Sequence, residues 1–312
     1  MSLKEFRVAR YHFVFEVTRP MRLPDYAGSM LRGAFGHALR QIACMTKQKE
    51  CEGCPLLCSC SYPKIFAPPP PETHTLQKFT QIPVPYVIEP PAWGARVLDT
   101  GEAIDFHMVL VGRAIDELPL IVLAWRRAFA RGVGAGDGTA EIVRVLHCRL
   151  DTDLEIYTPA SGTIAPHETT VPCTPWSHAN SGSVTLEFTT PLRLQHNGRA
   201  LRPDQLIART LLMALLRRAS LLSEFHDEGP LLTDFAPLSE TASKITDQKH
   251  LAWRDWTRYS SRQHQSMALG GAIGRWTLNG DLTPFAPYLQ LGEFLHVGKE
   301  AAFGLGGYSV LR

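Results

Sequence analysis

The chain has 312 residues, 45% of them apolar and 20% charged, an ordinary globular balance that excludes a disordered, collagen-like or coiled-coil protein. Lysine and arginine number 32 against 30 aspartates and glutamates, so there is no global cationic field and a polyanion would have to be met by a local patch. The length suggests two domains, and the most apolar stretch, around Leu118 to Trp125, is far too short to span a bilayer.

From Lys4 to Thr18 the run FRVARYHFVFEV alternates and is rich in Val, Phe and Tyr, which predicts a strand. Pro20 and Pro24 break it, Asp25 offers an N-cap, and Tyr26 to about Cys44 has helical period. Residues 46–83 have no clear period and hold most of the cysteines and a Pro68–Pro71 run, so they read as a long insertion. Val84–Glu89 and Ala103–Val111 are predicted strands, Asp116–Arg131 a helix, Gly132–Gly138 a turn and Ala140–Leu150 a strand. Strand, helix, strand, strand, helix, strand is the split βαβ order of a ferredoxin-like sandwich.

A stretch rich in Pro, Ser, Thr and Gly from Thr158 to Ser183 reads as a linker, after which the pattern restarts. Ser183–Gln195 alternates as a strand, and Asp204–Phe225 is an apolar helix carrying Arg217 and Arg218. His250–Tyr259 and Ser266–Leu278 are predicted strands, Pro284–Leu291 a short helix and Gly307–Leu311 a last strand. The expected class is therefore α+β: two tandem ferredoxin-like (RRM-like, split βαβ) domains with a Cys-containing insertion in the first. The expected bounds are 1–160 with the insertion at about 46–83, a linker at 161–182, and a second domain at 183–312.

On the first predicted helix, a step of 100° per residue gathers Ser29, Arg32, Gly33, Gly36, His37 and Arg40 into one sector. Leu31, Ala34, Phe35, Ala38 and Ile42 face the other way, as a core face does. Each mid-helix glycine costs roughly 0.5–1 kcal/mol relative to alanine, so bare backbone at Gly33 and Gly36 suggests close approach by a ligand or another segment. Two guanidiniums and one imidazole beside it suit a phosphodiester; a solvated helix face packed against a neighbouring loop is the plainer alternative.

Five of the seven cysteines (Cys44, Cys51, Cys54, Cys58, Cys60) fall in one short stretch. The N-terminal MSLKEFRVAR has no apolar h-region, so the expectation is a cytoplasmic, reducing setting rather than a disulfide framework. Cys51-x2-Cys54 is half of a zinc site, with its second pair from Cys44, Cys58 or Cys60; free thiols are the alternative. The expected ligand set is Cys44, Cys51, Cys54 and Cys60, holding a structural zinc. Near the C-terminus, His296-Val-Gly298-Lys299 leads into Phe303-Gly304-Leu-Gly306-Gly307, a glycine density expected to form an anion-receptive nest of outward amides. It lacks the Ser or Thr of a Walker A loop, and Gly270-Gly271-Ala-Ile-Gly274 lacks dinucleotide-fingerprint spacing, so an NTPase or nicotinamide enzyme is disfavoured. Trp253, Trp256 and Tyr259 interleave with Arg254, Arg258 and Arg262, a pattern that stacks bases and grips phosphate or merely fills a core.

The block from Trp253 through Gly307, with Tyr259-Ser-Ser-Arg262-Gln263, Met267-Ala-Leu-Gly270-Gly271, Gly280-Asp281-Leu and the glycine loop, resembles the C-terminal domain of CRISPR precursor-RNA processing endoribonucleases of the RAMP superfamily. Leu31-Arg32-Gly33-Ala34-Phe35-Gly36-His37 and the cysteine stretch are similar to a frequent N-terminal half of that family. The resemblance implies a metal-independent cut in CRISPR repeat RNA, in which the ribose 2′-OH attacks the adjacent phosphate and leaves a 2′,3′-cyclic phosphate. It needs no catalytic cofactor. It implies His37 as the proton carrier with Tyr26 and Lys47 as auxiliaries. The RNA-binding set would be Arg32, Gly33, Gly36, Arg40, Arg258, Arg262, His296, Lys299, Gly304, Gly306 and Gly307. Expected partners are repeat RNA and effector-complex subunits, with no membrane. The alternative is a non-catalytic RAMP subunit that binds guide RNA.

Overall fold

The computed structural model describes residues 6–71, 81–149, 151–169, 182–231, 234–260 and 265–311, with backbone alone considered at 257–260 and 265–268. The chain divides into two compact units, one of Arg7–Thr170 with Phe225–Glu228, the other of Met1–Phe6, Val171–Glu224 and Gly229–Arg312.

The first unit contains β1 (Val8–Arg19), β2 (Met21–Leu23), α1 (Gly28–Ala43), α2 (Ser61–Ile65), β3 (Tyr86–Glu89), β4 (Arg96–Leu98), β5 (Ala103–Val111), α3 (Leu118–Arg131), β6 (Thr139–His147) and β7 (Leu154–Tyr157). Its main sheet is antiparallel in the order β3-β5-β1-β6-β7. Without the added edge strand β7, this is the ferredoxin-like arrangement. The alternation in β1 has a direct physical outcome: Tyr11, Phe13, Phe15 and Val17 are fully buried, while Arg10, His12 and Val14 between them keep partial exposure. Phe13 and Phe106 stack with ring centroids 5.4 Å apart, and Trp125 of α3 lies 4.5 Å from Phe106 and 5.0 Å from Phe35 of α1. One aromatic cluster therefore ties both helices to the sheet.

The second unit repeats the plan with β8 (Ser183–Leu192), β9 (Gln195–His196), β10 (Arg199–Ala200), α4 (Ala208–His226), α5 (Phe235–Ser243), β11 (Thr246–Ser260), β12 (Gln265–Asn279), α6 (Ala286–Leu295) and β13 (Tyr308–Leu311). Its four-stranded sheet runs β11-β12-β8-β13, the same relative order as in the first unit. The fold is thus tandem ferredoxin-like. Among the described residues no helix is long and apolar enough to cross a membrane.

Several boundaries depart from expectation. α1 starts at Gly28 with Ala27 at its N-cap, so Asp25 does not cap it. α4 starts at Ala208, because Pro203–Gln205 forms a separate 3₁₀ turn. The insertion contains α2, and β7 lies just before the expected linker, most of which falls outside the described residues.

Phe106 is 1% exposed between Phe13, Phe15, Trp125 and Phe129. Phe106→Ala is expected to cost about 3–5 kcal/mol, and Val143→Ala at an exposed β6 position less than about 0.5 kcal/mol. Urea unfolding followed by tryptophan fluorescence distinguishes the two. Equal midpoints would show that the cluster does not hold the unit together.

Candidate functional site

α1 exposes His37 at the end of its polar face. Gln41, one turn on, places its Nε2 2.7 Å from His37 Nε2. With the amide in this orientation Gln41 donates, which puts the proton of a neutral imidazole on Nδ1; a flipped amide would make His37 the donor. The Lys47 ammonium donates to the Gln41 carbonyl at 3.3 Å, and Lys47 holds a left-handed backbone with φ 57°. Gln41 thereby joins His37 and Lys47 at the C-terminal end of α1. Its position four residues after His37 was the available sequence signal, since i and i+4 share a helix face.

The rest of the stripe is occupied by the protein itself. A Cβ built on Gly36 would lie 2.1 Å from Phe66 Cζ, so this glycine is a notch for a ring of the insertion rather than a surface for RNA. Gly33, by contrast, faces open space with nothing within 4 Å. Arg32 lies over the Phe66 ring at 4.5 Å and beside Tyr86, whose phenol burial pushes up to about 12 despite that guanidinium. Arg40 donates to the carbonyl of Gln48 at 2.6 Å and sits 5.7 Å from the Tyr62 ring centroid, holding the insertion against the helix. Tyr26 is 4% exposed and packs on Trp93 at 4.5 Å, and burial holds its phenol well above the usual value. A core tyrosine cannot assist a solvent-borne phosphate, so the expected auxiliary role does not fit its position.

The glycine loop of the second unit also differs from expectation. Its amides turn inward: Val297 donates to Gly306 O at 3.1 Å, Lys299 to Arg193 O at 2.9 Å, Gly306 to Pro191 O at 3.0 Å and Gly307 to Thr190 Oγ1 at 2.7 Å. Gly304, Gly306 and Gly307 are buried, and a Cβ on Gly306 would meet Val297 O at 1.8 Å. The glycines let the loop cross the end of β8 at backbone distance; they do not build an anion nest. His296 is 5% exposed, with its ring against Gly307, so it too belongs to the loop's interior. Lys299 is the exposed cation of this loop. Partly buried Arg218 donates to Leu295 O at 2.7 Å at the C-terminus of α6, and desolvation lowers its pKa to about 10. The Arg217–Arg218 pair was visible in the sequence, but nothing there marked which arginine turns inward.

Trp256 is buried edge-on to Phe303, and Trp253 lies under Arg202 at 3.9 Å, so these aromatics pack within the unit. Arg258 pairs with Met267 through the β11–β12 backbone, and Arg262 lies outside the described residues. Cys44, Cys51, Cys54 and Cys60 line one small cavity beyond the end of α1.

Residues 186–308 match the family model described as CRISPR-associated endoribonuclease Cas6, and residues 6–169 match a second model described as an N-terminal domain. A Cas6 product complex shares the fold at a TM-score of 0.58 and 15% identity, over 97% of this chain and 100% of that one. Thermus thermophilus Cas6 gives 0.52 at 14% identity, over 98% and 99%. A partial Cas6-RT-Cas1–Cas2 complex gives 0.56 at 13% identity, over 98% of this chain and 46% of that one. At these identities the likeness is one of fold. No curated protein matches in sequence.

The two helix glycines should respond in opposite ways. Gly36→Ala overfills the Phe66 notch and is expected to destabilise by about 1–3 kcal/mol, while Gly33→Ala should be neutral or stabilise by up to about 1 kcal/mol. Adding Phe66→Ala to Gly36→Ala should remove most of the penalty specific to Gly36. Thermal unfolding of these three variants and of Phe66→Ala alone reads this directly; a tolerated Gly36→Ala would mean that the ring is not seated there.

Proposed function

Because the chain belongs to the Cas6-type RAMP family of CRISPR-associated proteins, we propose that it is the endoribonuclease that cuts CRISPR repeat RNA into guide RNAs. The bond formed is 2′-O to phosphorus, and the bond broken is phosphorus to the 5′-oxygen. The products are a 2′,3′-cyclic phosphate and a 5′-OH. One proton leaves the 2′-OH and one reaches the departing 5′-oxygen, with negative charge gathering on the phosphoryl oxygens between.

The observation that carries this reading is the exposed His37 imidazole, oriented by the Gln41 amide, with the Lys47 ammonium on the same Gln41's backbone carbonyl. Imidazole exchanges protons near neutral pH, which suits either transfer, and the ammonium supplies charge stabilisation. Open Gly33, one turn earlier on the same face, leaves space for a ribose-phosphate. Arg32 and Arg40 act indirectly, by holding Phe66 and the 48–49 carbonyls, so their loss should loosen the insertion more than it changes salt dependence. Lys299 on the second unit is a direct phosphate contact and should carry about one contact's share of the salt slope.

His37→Ala is expected to cut single-turnover cleavage by roughly 10² or more in EDTA while still binding repeat RNA. Lys47→Ala should slow the same step. Wild-type rates in His37→Ala at saturating enzyme would make the imidazole structural. Tight binding without cleavage by the unaltered protein would instead support the non-catalytic RAMP subunit.

A further inference from the structure

We propose that Cys44, Cys51, Cys54 and Cys60 bind one structural zinc ion that ties the C-terminus of α1 to the N-terminus of α2. The four thiols come from three distinct local structures. Cys44 is the C-cap of α1, Cys60 is the N-cap of α2, and Cys51 and Cys54 close a tight turn between them. In that turn Cys54 N–H donates to Cys51 O at 3.1 Å, and Gly53 takes a left-handed φ of 71°. Two cysteines separated by two residues on such a turn form a natural half of a tetrahedral thiolate site. All four side chains line a single cavity of about 20 Å³, whereas Cys58 is exposed and does not reach it.

An independent observation is that this segment has no apolar core of its own and is held to α1 by polar contacts such as Arg40 to Gln48 O. Between Cys44 and Cys60 no residue is buried, and Met45 is 81% exposed. The backbone there is held by isolated turn bonds rather than by a helix or sheet. Small loop-rich segments without an apolar core need a cross-link or a metal.

The surroundings suit thiolates. Thr46 Oγ1 stands 3.5 Å from Cys54 Sγ and 3.9 Å from Cys44 Sγ, positioned to donate to either. The Lys47 backbone N–H is directed at Cys44, and the Arg40 guanidinium lies close enough to offset part of the site's negative charge. Among the described residues no three His, Cys, Asp or Glu side chains stand as a ligand group in this structure, so the four thiols must close in on the ion to bind it. Zn–S bonds of about 2.3 Å would draw the sulfurs to about 3.8 Å from one another. The consequence reaches past the insertion. α2 leads directly into Phe66, and Lys47 lies between the first two ligands, so the metal would set both the ring in the Gly36 notch and the cation on the Gln41 carbonyl.

Elemental analysis of the full-length protein, purified without added metal, is expected to find one equivalent of zinc per chain. Cys51→Ser with Cys54→Ser should lose it, and Cys58→Ser should keep it. Should the double variant fail to fold, the native wild type still decides the matter. An organomercurial should release zinc in step with the modification of the clustered thiols, and exposed Cys58 should react with a mild thiol reagent before those four do. Substoichiometric zinc mixed with iron, a Cys51–Cys54 disulfide, or zinc retained by the double variant would overturn the proposal.

Discussion

A single phenyl ring organises the face of α1 that carries His37. Phe66 fills the notch where Gly36 lacks a side chain, and the Arg32 guanidinium covers the same ring at 4.5 Å. Tyr62 and Tyr86 lie 5.5 and 6.2 Å from it, and Phe35 at 6.2 Å links it to Trp125 and the sheet core. The insertion is therefore continuous with the aromatic core through one contact that only glycine permits. It divides the polar stripe of the helix in two. Arg32, Gly36 and Arg40 are covered by the insertion, while Gly33 and His37 remain open.

The same residue type does different work in the two units. In α1 a glycine admits a side chain of the insertion; in the loop after α6, glycines admit backbone. Gly298, Gly304 and Gly306 adopt left-handed φ values of 96°, 98° and 68°, and two of them would strike carbonyl oxygens if they carried a Cβ. The loop's amides bond to the end of β8 and to the loop itself, which fixes the start of β13 and leaves Lys299 as the outward charge. A glycine-rich sequence is thus no guide to whether its amides face solvent. What decides is whether a partner carbonyl lies within reach, and that is a property of the tertiary fold.

The strands of both sheets were legible because alternation follows from the pleat, and residues such as Phe13, Phe15 and Phe106 declare one buried face. The amphipathic division of α1 was legible for the same kind of reason. Which of its two glycines met a ring was not, because Phe66 sits thirty positions away in a segment without period. Tyr26 looked available as a hydroxyl near the helix, yet Trp93, still more remote in sequence, packs against it in the core. The cysteines were an intermediate case: spacing marked Cys51 and Cys54 as a pair but left Cys58 as an alternative to Cys44 or Cys60, and only the fold shows that Cys58 does not line the cavity the other four share. β7 escaped notice because Leu154–Tyr157 is four residues long and flanked by polar and proline-containing sequence.

The proposed reaction is attack of the RNA's own 2′-oxygen on the adjacent phosphate, with protons carried by side chains of α1. The most direct measurement is the chemistry of the ends left on repeat RNA by the wild-type protein in EDTA, paired with a substrate carrying a 2′-deoxy nucleotide at the scissile position. Attack by the 2′-oxygen leaves a 2′,3′-cyclic phosphate and a 5′-OH, and the deoxy substrate should stay intact. A 5′-phosphate product, or cleavage of the deoxy RNA at the normal rate, would contradict it.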